Sequence, residues 1–167
     1  DPTEIVQSVH AIVAHRGPVY MRIGQHKMPV LFPEDAPYTL GKATLMRDGR
    51  DVTVLASGTV LSKAYDAVQQ LVAEGVDARL LSVHTVKPLD KDAVLKAARE
   101  TGRIVTVEEH YCAGGLGGAV AELLAKECPT PMRMIGVDDQ FASNGPYEEL
   151  LGLYGLQGPQ ICEAVKE

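Results

Sequence analysis

A chain of 167 residues that is 46% hydrophobic and 23% charged has the composition of an ordinary globular protein, and it is long enough to bury roughly 70% of its unfolded surface without a disulfide or a metal. Its formal net charge of -6 argues against a nucleic-acid groove, which needs a basic stripe. No apolar run approaches the ~20 residues of a membrane-spanning helix, and no signal peptide is visible.

The chain starts at Asp1 without an initiator methionine, which reads as a piece of something longer. Asp1-Pro2-Thr3-Glu4 predicts a helix start: the aspartate caps, proline suits the first helical position, and Glu4 stands where a capping box wants it. Ile5, Val6, Val9, Ile12 and Val13 then keep a helical stripe to about Ala14. Gly17-Pro18 ends it, and Val19–Ile23 is expected as a short strand. One helix and one strand cannot close a core, so this opening is expected to join a sheet whose other strands lie outside this chain. Residues 29–38, with Pro29, Pro33 and Pro37 and no periodicity, predict an extended linker.

A regular alternation follows. Val52–Ser57 predicts a strand, Val60–Glu74 a helix closed by Gly75, and Ala78–Val83 the next strand. Asp90 caps a helix to about Thr101, ended by Gly102. Ile104–Val107 predicts a strand, Gly115–Lys126 a helix and Met132–Val137 a strand, before terminal helices over Pro146–Tyr154 and Pro159–Lys166. Strands alternating with helices of roughly 10–15 residues predict the α/β class: an open, mostly parallel sheet in a three-layer α/β/α arrangement. Cys112, Cys128 and Cys162 are odd in number, widely spaced and form no CxxC. They read as small buried hydrophobes in a reducing, cytoplasmic compartment rather than as a zinc site or disulfide.

The turn Gly114-Gly115-Leu116-Gly117-Gly118 resembles the opening of a dinucleotide cradle, and Asp138 stands about twenty residues further on. Bare N–H groups at Gly117 and Gly118 could accept an anion. Against this, Val120 occupies the third glycine position, Glu108 and Glu109 stand just before the turn, and no Lys or Arg lies between Arg103 and Lys126. The favoured reading is a strand-to-helix entry where glycine avoids Cβ clashes.

Three stretches carry a family resemblance: SVHTVKPLD (Ser82–Asp90), TVEEHYCAGGLGGAVAE (Thr106–Glu122) and FASNGPYEELLGLYGL (Phe141–Leu156). In order and spacing they resemble the transketolase C-terminal domain, above all that of split transketolases. GPVYMRIGQHKMPVLF (Gly17–Phe32) resembles the last strand of the preceding pyrimidine-binding domain. The resemblance implies residues 1–36 as the tail of that domain plus linker, and residues 37–167 as the C-terminal domain. It implies an enzyme that moves a two-carbon ketol unit between sugar phosphates with thiamine diphosphate and Mg²⁺ or Ca²⁺, held by an N-terminal section or subunit in a homodimer or heterotetramer. Arg47-Asp48-Gly49 departs from the family's GDG metal motif, so this chain alone is expected neither to bind the coenzyme nor to turn over, and to serve mainly in assembly. The corresponding part of a 1-deoxyxylulose-5-phosphate synthase or of a 2-oxo acid dehydrogenase beta subunit is the alternative, and a regulatory small-molecule-binding domain is another.

The resemblance further places a phosphate-gripping arginine after the last pyrimidine-domain strand, a position counted here to Gln25, with His26 and Lys27 able to compensate. His84 and His110 each end a predicted strand; if those strands are neighbours, the two imidazoles and Glu109 would share a cleft with Gly115 and Gly117. Lys87 reads as a solvated lysine, and Phe141 and Tyr147 as apolar anchors of an interface loop.

Overall fold

A computed structural model describes residues 1–167. Helix α1 spans Pro2–Ala14 and strand β1 Thr44–Arg47; β2 (Val52–Ser57) leads through one 3₁₀ turn, Gly58–Val60, into α2 (Leu61–Ala73). Then come β3 (Ala78–Ser82), α3 (Lys91–Thr101), β4 (Ile104–Tyr111), α4 (Leu116–Glu127), β5 (Met132–Val137), α5 (Tyr147–Leu153) and α6 (Gly158–Lys166). The five strands form one sheet in the order β1-β3-β2-β4-β5. Pairs β2–β3, β2–β4 and β4–β5 are parallel, and β1 closes the edge antiparallel to β3.

The alternation read from the sequence is therefore present, and its reason is burial on both faces. Strands β2 and β3 read as nearly continuous apolar runs because a central parallel strand meets helices above and below. Val54, Ala56, Leu80, Val105 and Val107 pack on one face with Ala64, Val68 and Leu71 of α2 and Ile161 of α6. Leu55, Leu81 and Ile104 pack on the other with Val94 and Ala98 of α3 and Val120 and Leu124 of α4. Side chains leave a strand alternately to its two faces, so neighbouring residues enter different layers.

Caps match the sequence expectations. Asp1 accepts from Glu4 N at 2.9 Å within a capping box, and Asp90 accepts from Ala93 N and Ala43 N. Burial alone would raise the Asp90 pKa. The N–H donors of Ala43 and Ala93 and the Lys42 ammonium outweigh that and hold the carboxyl below its usual range. None of the three cysteines is paired; Cys162 is fully buried and the others partly so.

The structure adds one element and corrects one expectation. Val19–Ile23 pairs with no strand of this chain, and residues 15–43 contain no helix or strand. The segment has strand composition, and the strands it was expected to pair with lie outside this chain. Strand β1 was not foreseen: four residues with Leu45 exposed carry too little pattern to read. The stripe on α1 does not enter the core either. Val6, Val9 and Val13 are exposed, and the helix buries its polar residues Glu4 and Ser8 instead. It is fastened by polar ties. The Asp1 carboxylate accepts from Leu31 N (2.6 Å) and Phe32 N (2.9 Å), Gln7 donates to Ala36 O (2.6 Å), and Ser82 Oγ donates to Glu4 (3.1 Å).

Candidate functional site

From β2 the chain passes through α2 to β3 on one side, and then through α3 back across to β4 on the other. That reversal leaves a crevice outside the carboxyl ends of β2 and β4, where open α/β sheets receive ligands. Its floor is the turn after β2, which opens with Gly58 at φ 73°, a conformation suited to glycine. Its wall is the end of β4, where the alternation of faces separates two adjacent acids. Glu108 leaves toward the α3–α4 layer and Glu109 toward the α2–α5 layer.

Glu109 gathers three other parts of the chain. The Thr59 hydroxyl, from the turn after β2, donates to its Oε2. The Tyr147 phenol, at the start of α5, donates to the same oxygen at 2.8 Å. Arg22 Nη1 donates to the Glu109 carbonyl at 3.0 Å, and Nη2 lies 4.0 Å from Oε1. His26 stacks on the Tyr147 ring with centroids 3.8 Å apart and planes 12° off parallel. Gly24 lies directly against Thr59, and a Cβ there would collide with the threonine side chain. Burial, with the Glu109 carboxylate beside it, pushes the Tyr147 phenol up to about 12 despite the opposing Thr59 hydroxyl. It therefore remains a hydrogen-bond donor at neutral pH. Arg22 is more than half exposed, so its separation of 4.0 Å from the carboxylate contributes little by itself.

Of the residues singled out from the sequence, His26 and Glu109 come together here, bridged by Tyr147. Gln25 and Lys27 flank His26, exposed, without side-chain hydrogen bonds or ion pairs. Arg22 and Thr59 were missed. Arg22 was readable as the one cation between Gly17 and Gln25; Thr59 carried no signal. Tyr147, expected as an apolar anchor, acts through its hydroxyl as well, whereas Phe141 stands fully exposed on its loop.

Gly115 and Gly117 sit on the opposite face. The Glu108 carboxylate accepts from Leu116 N and Gly117 N, both at 2.7 Å, and so occupies the start of α4 that an incoming anion would need. A Cβ on Gly115 would meet this carboxylate and the Tyr111 carbonyl. The glycines thus admit an internal acid, and these residues do not fit the diphosphate of a nucleotide or of thiamine diphosphate.

His84 and His110 do not form the shared pair that neighbouring strands would have given. Strand β2 lies between β3 and β4, which sets the two strand ends roughly 10 Å apart. His110 is exposed, with Nδ1 2.9 Å from the Tyr111 carbonyl. His84 stacks on Tyr38 at 4.3 Å, its Nδ1 is 2.9 Å from Thr85 Oγ1, and its Nε2 is buried without a partner. Lys87 is exposed. Burial holds the His84 pKa below the usual imidazole range, with Glu4 opposing. The unfolded chain then takes up a proton near pH ~6.5 that the folded chain refuses, so stability falls as pH drops below that value. Urea unfolding at pH 7.5 and 5.5 checks this: replacing His84 by Phe keeps the stack on Tyr38 and is expected to flatten the loss, and an unaltered slope would refute it.

A five-stranded, mostly parallel sheet with helices on both faces, with a preceding segment lying at the reversal of strand order, defines an open α/β domain. The family model for the transketolase C-terminal domain matches residues 41–161, and the chain belongs to that family. It is 41% identical over its whole length to the 6-deoxy-6-sulfo-D-fructose transketolase subunit SqwH of Clostridium sp. (strain MSTE9), of which it covers 52%. It is 40% identical to an apulose-4-phosphate transketolase subunit of Phocaeicola vulgatus, covering 54%. The 1-deoxy-D-xylulose-5-phosphate synthase of Heliobacterium modesticaldum matches at 37%, with 26% of that protein covered. Among solved structures, a split gene transketolase described as an inactive beta4 tetramer superposes with a TM-score of 0.91 at 39% identity, over 95% of this chain and 52% of that one. The chain thus spans about half the length of the transketolase subunits it matches. No helix is long and apolar enough to cross a membrane.

Proposed function

We propose that the chain is the C-terminal part of a thiamine-diphosphate-dependent transketolase that moves a two-carbon ketol unit between sugars bearing an anionic end. Residues 1–36 finish a pyrimidine-binding domain and residues 37–167 form the C-terminal domain. The coenzyme, with its Mg²⁺ or Ca²⁺, belongs to an N-terminal section or subunit, and the working protein is a homodimer or heterotetramer in the cytoplasm. The observation that carries this reading is the docking of residues 22–26 at the crevice of a transketolase C-terminal domain. There Arg22, His26 and Lys27 offer donors to the phosphate or sulfonate end of a sugar, with Gln25 adding an uncharged one. Two of the matched proteins are named as transketolase subunits, which supports a partner chain. The synthase matches over the whole chain as well, at 37% identity; the 41% identity to a transketolase subunit and the superposition on a split gene transketolase favour the transketolase reading.

Reconstitution tests it. The full-length polypeptide carrying this chain is combined with its thiamine-binding counterpart, thiamine diphosphate and Mg²⁺, and supplied with xylulose 5-phosphate and ribose 5-phosphate. Ketol transfer is expected, without decarboxylation of pyruvate and without turnover when either component is left out. Condensation of pyruvate with glyceraldehyde 3-phosphate instead would assign the chain to the synthases.

A further inference from the structure

We propose that Glu109 is a positioning residue: its carboxylate fastens the loop of residues 22–27 over the crevice and thereby sets substrate affinity without touching the substrate. The inference rests on the ketol-transfer reading given above.

Within residues 1–167 no secondary structure holds the loop. Residues 22–27 lie in neither helix nor strand and make no backbone hydrogen bond with one another or with the rest of the chain. Their ties to the domain are three: Arg22 on the Glu109 carbonyl, the contact of Gly24 with Thr59, and the stack of His26 on Tyr147. Thr59 and Tyr147, the two residues against which the loop leans, both donate to one carboxylate oxygen of Glu109. Two of the three contacts therefore lean on groups held by the Glu109 carboxylate, while Arg22 rests on the main-chain carbonyl of the same residue. An anionic side chain is also an unfavourable neighbour for an anionic substrate, so its presence beside Arg22 and the His26–Tyr147 stack calls for a reason other than binding. Fixing the Tyr147 ring, and through it the His26 imidazole, supplies that reason. The Glu109 carboxylate stands beside the start of α2, where the helix dipole favours negative charge.

Two effects then oppose each other, and their signs differ. If Glu109 acted only through its charge, removing it would ease anion binding and lower KM. If it acts by holding the loop, removal raises KM. Glu109→Ala in the full-length chain, reconstituted with its thiamine-binding counterpart, is expected to raise KM for the phosphorylated ketose about tenfold with kcat within about twofold. Glu109→Gln keeps an acceptor for Thr59 and Tyr147 and is expected to restore KM to within about twofold of wild type. Trypsin supplies a readout independent of turnover. Cleavage after Arg22 and Lys27 is expected to quicken severalfold in Glu109→Ala and to stay near wild type in Glu109→Gln. An unchanged or lowered KM in the alanine variant, or unchanged cleavage at both sites, overturns the proposal. Should the wild-type assembly show no ketol transfer, the functional reading falls, and the cleavage comparison alone still decides whether Glu109 holds the loop.

Discussion

Replacing Glu108 by alanine is expected to destabilise the domain by about 3 kcal/mol. Helix α4 begins at Gly115, which has no side chain with which to cap it, and the helix has no other side-chain cap. The first N–H groups of a helix lack intrahelical partners, and here Leu116 N and Gly117 N have only the Glu108 carboxylate, at 2.7 Å each. Glu108 is 3% exposed and Leu116 is fully buried, so water cannot readily replace the lost acceptor. Truncation strands two buried donors and also removes a negative charge from the positive end of the helix dipole. Glu108→Gln keeps one acceptor and loses the charge, which is expected to cost about half as much. Urea unfolding of both variants measures the ladder; an alanine variant within about 0.5 kcal/mol of wild type would show that the helix start finds other partners.

Gly49→Ala is expected to cost about 2–4 kcal/mol, or to prevent folding altogether. Its cause is steric, since a Cβ at Gly49 would lie 2.5 Å from Ala78 C, 2.5 Å from Asp77 O and 2.6 Å from Arg79 N. All three are backbone atoms, and the Asp77 carbonyl is held by Arg50 N at 2.8 Å and Asp51 N at 3.0 Å. No side chain can swing aside to make room. The neighbouring Asp48 explains the rest of the Arg47-Asp48-Gly49 turn. Its carboxylate pairs with Arg79 at 2.8 Å and accepts from Gly49 N, while Arg47 pairs with Asp77 at 3.1 Å. The turn that failed the family's metal motif is thus the joint between β1 and the start of β3. Thermal melting of Gly49→Ala beside Gly75→Ala discriminates the two causes. Gly75 has φ 92° with open space around it, so its variant meets backbone strain without collision.

The sequence carried the layers of this fold because burial writes itself into pattern. The largely apolar runs of β2 and β3, the spacing of Leu61, Ala64, Val68 and Leu71 on α2, and the caps Asp1 and Asp90 each follow from local physics. Strand order does not, since the same alternation threads several sheets, and the pairing of His84 with His110 depended on an adjacency that β2 prevents. Val19–Ile23 shows the converse limit, a strand composition without a strand to pair with. The crevice was legible only in parts. His26 and Glu109 stood out as chemistry-bearing residues, but Arg22, Thr59 and Tyr147 meet them from stretches tens of residues apart, and only closure of the sheet brings them together. The charge of Glu108 was legible as unfavourable to phosphate, while its role as a cap waited on knowing toward which layer it points.

The opposite headings of Glu108 and Glu109 make β4 an indexing device. Deleting or inserting one residue between Val105 and Val107 would turn each acid to the opposite face of the sheet, taking the cap away from α4 and the loop anchor away from Thr59 and Tyr147. Drift in the length of this strand is therefore penalised twice, once in the packing of a helix and once in the seating of a loop that arrives from the other end of the chain. Two otherwise separate properties are locked to a single register.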